Sequence, residues 1–267
     1  MKTYITAILL LIANFNKSYA QRIDTLINVG TCSLHIKVIK GDAKTILFES
    51  GGALDATQWD TISTRVHNIL NATVITYDRQ GSGKSGIDTN QYNILNQVKG
   101  LEFALTKLGY GNSDMLLVSH SLGAFYSMLY ADRNPHYIKG MVMFDPRIAS
   151  RADMRFARDV YKKLDRKQFN KEELWLYYVL AAMESNSNIV RKISLAEKIP
   201  ILDIMAEYGP FDAQQENERF QLAQKKFIER RQNATLLFLK ATSHNIPQDK
   251  PEIAINEIVK FYRYHLK

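Results

Sequence analysis

Short apolar stretches recur along the chain, and each ends in polar or glycine-rich residues. Their length of six or seven residues and their β-branched and large apolar side chains are typical of strands. The stretches read DTLINV, SLHIKVI, TILFES, TVITYD, MLLVSHS, GMVMFD, IPILDIM and ATLLFLK. This pattern predicts eight strands.

Helical periodicity separates the later strands. Apolar residues recur every three or four positions over 59–69, over 95–108 and from Pro251 to Tyr262. Strands in hairpin order, followed by strands that alternate with helices, predict an α/β fold. We expect a mostly parallel eight-stranded sheet that is covered by helices on both faces.

The interval from residue 150 to residue 198 breaks the alternation, because it is charged, helical in pattern and without a strand signal. Ligands bind at the carboxyl edge of open α/β sheets, and an insertion at that edge can act as a lid. We therefore predict a helical cap over about 150–198 within a single domain of residues 21–267. Surface helices remote from any site are the alternative.

The N-terminus has the order of a secretory signal. Lys2 precedes an apolar run from Ile5 to Phe15, and small residues stand at Ser18 and Ala20. We predict a signal peptide over residues 1–20 and a periplasmic or secreted protein. An uncleaved membrane anchor is the alternative, but the apolar run is short for a span of about 20 residues.

Composition excludes some kinds of site. Cys32 is the single cysteine, so the chain has no intramolecular disulfide and no thiolate metal site. The formal net charge is +8, and residues 151–171 hold eight basic residues against three acidic ones. Their helical spacing favours a solvated helix face over binding of nucleic acid or an anionic membrane. We expect a small-molecule partner and no stable membrane insertion.

The stretch LLVSHSLGAFYSMLYA places Ser121 after an apolar strand and before a helical pattern. A nucleophile elbow has this strand–turn–helix context and needs small residues two positions to either side, where Ser119 and Gly123 stand. Serine needs a histidine base, and in the order serine, acid, histidine the candidates are His136, His244 and His265. His244 is favoured because it lies in a polar loop after a strand, and this placement brings it to the same edge of the sheet as Ser121.

Oxyanion donors are expected at two places. One is the backbone N–H of Leu122, directly after the nucleophile. The other lies in the loop FESGGALDATQW after the third strand, where Gly51 and Gly52 let the backbone approach a ligand.

With these motifs the chain resembles the α/β-hydrolase superfamily, in its single-domain branch with a helical cap. The resemblance covers about residues 33–262 and rests on ESGGALDATQW, YDRQGSGKSG, VSHSLGA and ATSHNIPQDKPE, in that order. It implies Gly52 as the second oxyanion residue. It also implies that DRQGSGKSG is a turn after a strand and not a phosphate-binding loop, so that Lys84 binds no phosphate.

The resemblance offers two positions in the chain for the acid. The usual family position follows the strand after the cap, where Gly209 stands, so that Asp212 or Glu207 could serve only with a shifted loop. A minority of the family carries the acid at the end of the strand before the cap, where this chain has Asp145. We favour Asp145, with Asp212 as the alternative and a turn or helix-cap role as the structural alternative for Asp145.

The predicted function is a carboxylesterase-like serine hydrolase that cleaves an ester-like bond through Ser121, His244 and an aspartate. This serine-hydrolase interpretation implies neither a metal nor a cofactor. Dehalogenase and epoxide-hydrolase chemistry is disfavoured, since those relatives need a carboxylate in place of Ser121. A proline-iminopeptidase-like aminopeptidase is one alternative, because Glu172, Glu173 and Glu184 in the cap could hold an amine. A non-catalytic ligand-binding member of the fold is the other.

Overall fold

A computed structural model describes residues 21–266, so the predicted signal peptide lies outside the described residues. The eight strands are β1 (Arg22–Asn28), β2 (Ser33–Ile39), β3 (Ala43–Glu49), β4 (Ala72–Tyr77), β5 (Met115–His120), β6 (Ile138–Phe144), β7 (Ile201–Ala206) and β8 (Ala234–Leu239). They form one sheet in the order β1-β2-β4-β3-β5-β6-β7-β8. Only the pairs of β2 are antiparallel, and the other five are parallel.

Nine α-helices surround the sheet in the described part of the chain. They are α1 (Asp60–Leu70), α2 (Ile94–Lys107), α3 (Gly123–Arg133), α4 (Arg151–Lys162), α5 (Leu174–Ala181), α6 (Met183–Val190), α7 (Gln214–Glu229), α8 (Ile246–Asp249) and α9 (Pro251–His265). Short 3-10 helices occupy Ala56–Trp59 and Arg166–Gln168. The predicted α/β fold class is confirmed. No helix within 21–266 has both the length and the apolar character needed to cross a bilayer.

Two cores cover the two faces of the sheet, because successive side chains of a strand point to opposite sides. Leu117 of β5 lies in the core that α2 and α3 complete, while its neighbours Leu116 and Val118 lie in the core of α1 and α9. A parallel strand buried on both faces is mostly apolar, and all six residues of β5 are buried, with Ser119 and His120 as the polar residues at its carboxyl end.

Helices α4 to α6 occupy the predicted cap interval. Ser150 begins α4 as an N-cap by accepting the N–H of Asp153 at 3.0 Å. The buried carboxylate of Asp153 then accepts Ser187 Oγ at 2.7 Å and so ties α4 to α6. Trp175 of α5 packs so closely on the loop after β4 that a Cβ on Gly81 would lie 2.5 Å from its Cβ. The role of these helices as a lid stays a prediction.

Candidate active site

Ser121 lies in the sharp turn between β5 and α3. Its backbone is left-handed, with φ at +52°, which is rare for a residue that carries a Cβ. The turn is held from both sides, since the N–H of Ser121 donates to Phe144 O at 3.0 Å and its carbonyl accepts Arg147 N at 3.0 Å. Backbone strain of this kind persists only where the surrounding structure enforces it.

The small neighbours of Ser121 have a steric reason. A Cβ on Gly123 would lie 2.6 Å from the carbonyl oxygen of Ser50 and 2.7 Å from that of Glu49, so the end of β3 leaves no space for a side chain. Ser119 is fully buried, and its hydroxyl has no partner within the described residues. A glycine would fill the position of Ser119 without that unpaired hydroxyl.

His244 reaches Ser121 from the loop between β8 and α8. Its Nε2 lies 2.8 Å from Ser121 Oγ, and its Nδ1 lies 2.6 Å from Asp145 Oδ2. The edge of Phe220 packs against the imidazole with the ring centroids 5.7 Å apart. The structure therefore brings together Ser121, His244 and Asp145 in one hydrogen-bonded chain.

Asp145 directly follows β6 and is fully buried with φ at +41°. Its N–H donates to Ile204 O at 2.7 Å, which fixes the residue against β7. Its Oδ1 accepts the N–H of Ala206 at 3.2 Å and Nε2 of Gln224 at 3.0 Å, and this leaves Oδ2 for the imidazole. The buried carboxylate thus has three donors, as a buried charge requires.

The other candidate acids and bases lie elsewhere. Asp212 is exposed in the loop before α7, and Glu207 accepts the backbone N–H of Ala241. His136 is exposed before β6, and His265 packs on aromatic rings at the end of α9. None of these four side chains contacts Ser121 or His244 in the described structure.

Gly52 lies in the loop after β3, beside the turn of Ser121, and a Cβ on it would meet the Leu122 side chain at 3.3 Å. Buried Arg79 holds this loop from behind, with Nη1 at 2.5 Å from Ser50 O and Nη2 bonded to Gly51 O. In a trans peptide the N–H and the C=O point in opposite directions. The N–H of Gly52 therefore points away from Arg79.

The N–H of Leu122 is oriented in the same way. The carbonyl of Ser121 belongs to the same peptide unit, and it accepts Arg147 N at 3.0 Å and Ala124 N at 3.1 Å. Within residues 21–266, neither Leu122 N nor Gly52 N has a hydrogen-bond partner. Two neighbouring donors with anchored carbonyls and no protein acceptor can receive a negatively charged oxygen.

A second histidine, His120, connects the Gly52 loop to the His244 loop. Gln58 Oε1 accepts the N–H of Gly51 at 2.8 Å, and Gln58 Nε2 lies 2.8 Å from His120 Nδ1. His120 Nε2 lies 2.9 Å from His244 O, so Nε2 carries the proton and Nδ1 accepts from Gln58. Burial, together with neighbouring His244, lowers the pKa of His120 to about 3. His120 is therefore neutral at physiological pH.

Asp203 is a second fully buried carboxyl group, on β7 next to the end of β6. Neither of its oxygens has a hydrogen-bond partner in the described residues, and the same is true of Gln224 Oε1. Burial, and then the charge of Asp145, raises the pKa of Asp203 well above its usual range. The sequence analysis gave Asp203, Gln58 and His120 no role, although an acid within IPILDIM and a histidine beside the elbow serine were visible signals.

The GSGKS stretch forms a turn around Asp78. Its Oδ1 accepts the N–H of Ala56 at 2.9 Å, and its Oδ2 accepts that of Lys84 at 2.8 Å and lies 2.7 Å from His35 Nδ1. A carboxylate therefore occupies the inside of the turn, where a phosphate-binding loop would hold an anion. Asp78 also fixes the 3-10 helix that carries Gln58.

A family model described as the alpha/beta hydrolase fold matches residues 44–176. The chain belongs to the α/β-hydrolase superfamily. Among curated proteins it is 29% identical over 225 residues to the uncharacterized protein YqjL of Bacillus subtilis (strain 168), covering 83% of this chain and 85% of that protein.

Solved structures show the same fold. A thermophilic esterase from Thermogutta terrifontis matches with a TM-score of 0.63 and 16% identity, over 93% of this chain and all of that one. A proline iminopeptidase from Mycobacterium smegmatis matches with a TM-score of 0.63 and 15% identity, over 91% of this chain and 98% of that one. At these identities the likeness establishes the fold and leaves the substrate open.

Proposed function

We propose that this α/β-hydrolase is a serine hydrolase that cleaves an ester-like acyl bond of a small molecule. The observation that carries the proposal is the hydrogen-bonded chain from Ser121 Oγ through His244 to Asp145, beside two free backbone donors. A serine hydroxyl with an oriented imidazole and an oxyanion site is sufficient for acyl transfer.

The proposed cycle consists of acylation of Ser121 followed by hydrolysis of the acyl-enzyme. Ser121 Oγ attacks the carbonyl carbon and gives its proton to His244 Nε2, while the N–H groups of Gly52 and Leu122 bind the oxyanion. The C–O bond to the alcohol then breaks, His244 protonates the departing alcohol, and Ser121 carries the acyl group. Water attacks this ester and passes a proton to His244, which returns it to Ser121 as the acid leaves. Asp145 stabilises the imidazolium in both halves.

The cap glutamates bear on the aminopeptidase alternative, and one of the three is already paired. Glu184 forms an ion pair with Arg158 at 2.5 Å, while Glu172 and Glu173 are exposed. An amine-binding site needs a carboxylate that is free to face the substrate. Because a proline iminopeptidase is among the similar structures, aminoacyl amides are included among the substrates to be tested.

The deciding experiment is labelling with a fluorophosphonate, followed by assays with acyl esters and aminoacyl amides. We expect one label on Ser121, ester turnover well above amide turnover, and a loss of about a million-fold in kcat for Ser121→Ala. Labelling without turnover of any substrate would favour the ligand-binding alternative. Full activity of a folded Ser121→Ala variant would refute the assignment of Ser121 as the nucleophile.

We also propose that the protein is exported to the periplasm or secreted, with cleavage between Ala20 and Gln21. The order of basic, apolar and small residues at the N-terminus supports this proposal. Intact mass spectrometry of the exported fraction should find a chain that starts at Gln21. Membrane-bound protein that retains Met1 would support an uncleaved anchor instead.

A further inference from the structure

A cavity of about 820 Å³ opens between α3, the end of α6 and α7, away from Ser121. Neither Ser121, His244 nor Asp145 lines it. Its volume falls within the range of roughly 300–1,000 Å³ that is usual for small-molecule sites. The cavity is thus large enough for a ligand of its own.

The floor of the cavity is apolar. Met128 of α3, Ile148 and Leu195 are buried at its base, and Ala223 and Phe227 of α7 form one wall. These side chains come from four separate parts of the chain and join the core that lies on the α2 and α3 side of the sheet. A hydrocarbon chain placed here would contact the core directly.

The rim of the cavity is strongly positive. Five exposed cations surround the opening, namely Arg151, Arg155, Arg191, Lys226 and Arg230. In the part of the chain that the structure describes, none of the five forms an ion pair with a carboxylate. The single acidic side chain of the lining is Glu197, which lies 3.7 Å from Arg231 and is 68% exposed.

Arg231 gives the cavity a fixed wall. Its side chain is 8% exposed, and it donates to the carbonyls of Leu195 at 3.3 Å and Ala196 at 3.0 Å. The segment between α6 and β7, which carries the floor residue Leu195, is therefore anchored to the end of α7. The shape of the cavity between α3 and α7 is therefore maintained by hydrogen bonds of a buried side chain as well as by exposed side chains.

We propose that this cavity binds a single anionic amphiphile, with a carboxylate, sulfate or phosphate head at the basic rim and a hydrocarbon chain on the apolar floor. Clustered like charges repel one another, and an anion between them removes that repulsion. Apolar surface around a few convergent charges is the composition of a ligand site and not of an ordinary solvated face. The proposal rests on the cavity and is independent of the chemistry at Ser121.

Titration calorimetry tests this proposal with fluorophosphonate-blocked protein, so that the Ser121 site is closed. Octanoate, decanoate and dodecanoate below their micellar concentrations are the probes, with acetate and dodecyltrimethylammonium as head-only and cationic controls. We expect one site for dodecanoate, with binding strengthened about four-fold per added methylene. Acetate and the cation should bind at least about ten-fold more weakly than dodecanoate, since both the head charge and the chain are needed.

Paired variants separate the cavity from the general basic surface. The double substitution Arg151→Glu with Arg230→Glu should weaken dodecanoate binding at least about ten-fold, because it reverses two rim charges. Lys167→Glu with Lys171→Glu makes the same change of charge outside the cavity and should leave binding within about two-fold. Ala223→Phe should also weaken binding by filling the floor.

Three results would overturn the proposal. They are no binding of dodecanoate, equal loss in both charge-reversal pairs, or binding only to anionic phosphatidylglycerol vesicles. Equal loss would assign the binding to the overall charge of the protein, and binding only to the vesicles would assign the positive charge to a membrane surface. If Ser121 proves unreactive, the hydrolase proposal fails separately, and the two charge-reversal pairs together with Ala223→Phe assign the binding by unblocked protein to this cavity or to another site.

Discussion

Asp145 directly follows β6, Asp203 lies within the neighbouring strand β7, and both are fully buried. Asp145 accepts hydrogen bonds from a backbone amide, an amide side chain and an imidazole. Asp203 accepts none from the described residues, and its pKa is raised well above the usual range. The two carboxyl groups are equally buried but differ in their hydrogen-bond partners, and donors to a carboxylate stabilise its charged form.

The two histidines beside them repeat this contrast. The rings of His120 and His244 lie 4.7 Å apart. His244 lies between a hydroxyl and a carboxylate, so it can gain a proton and share the charge with Asp145. His120 lies between an amide and a carbonyl, and with a pKa of about 3 it stays neutral. The site combines one pair that can carry charge with neutral neighbours that hold its geometry.

The largest loss of activity is expected when the carboxylate of Asp145 is replaced. Asp145→Asn keeps the shape of the side chain but fixes His244 in the wrong tautomer, which costs about ten-thousand-fold in a serine triad. Asp212→Asn is the matched control, and its exposed position predicts a loss of less than about ten-fold. Ester kinetics on both folded variants measure the difference. A dead Asp212→Asn enzyme beside an active Asp145→Asn enzyme would move the acid to the later loop.

A smaller effect is expected from the neutral histidine and its partner. Gln58→Leu removes the acceptor of the Gly51 N–H and should lower kcat by up to about a hundred-fold with little change in KM, since misplaced donors act on the transition state. Gln58→Glu can still accept from Gly51 but donates to His120 Nδ1 only when protonated. Its activity relative to wild type should therefore rise as the pH falls. Two pH profiles of equal shape would restrict Gln58 to a packing role.

The smallest change is expected at Asp203 and concerns stability. A folded-state pKa above the unfolded value means that the folded state binds more protons, so stability is lost as pH rises above about 3.9. Asp203→Asn removes this loss, so its stability relative to wild type should increase as the pH rises above about 3.9, by at most about 1.4 kcal/mol per pH unit. Urea unfolding at several pH values measures the difference. A constant difference would show that Asp203 is ionised in the folded protein.

The elements of the fold were predictable because the central strands are buried on both faces and are therefore mostly apolar. Ser121 and His244 were predictable because each stands where a strand ends, in a recognisable motif. The supporting contacts were not, since they join loops that are distant in sequence, such as Gln58 and His120, 62 positions apart. The charge state of Asp203 depends on partners that no local pattern reports.

The turn at Ser121 has a consequence for the lifetime of the site. Its backbone bonds run to Phe144 at the end of β6 and to Arg147 beyond it, so the turn cannot open unless two central strands separate. Amide protons held in this way exchange with solvent only when the whole domain unfolds. In a hydrogen-exchange experiment, the amide of Ser121 should belong to the slowest class. Control of activity is therefore expected at substrate access or protein abundance, and not in a local opening of the turn.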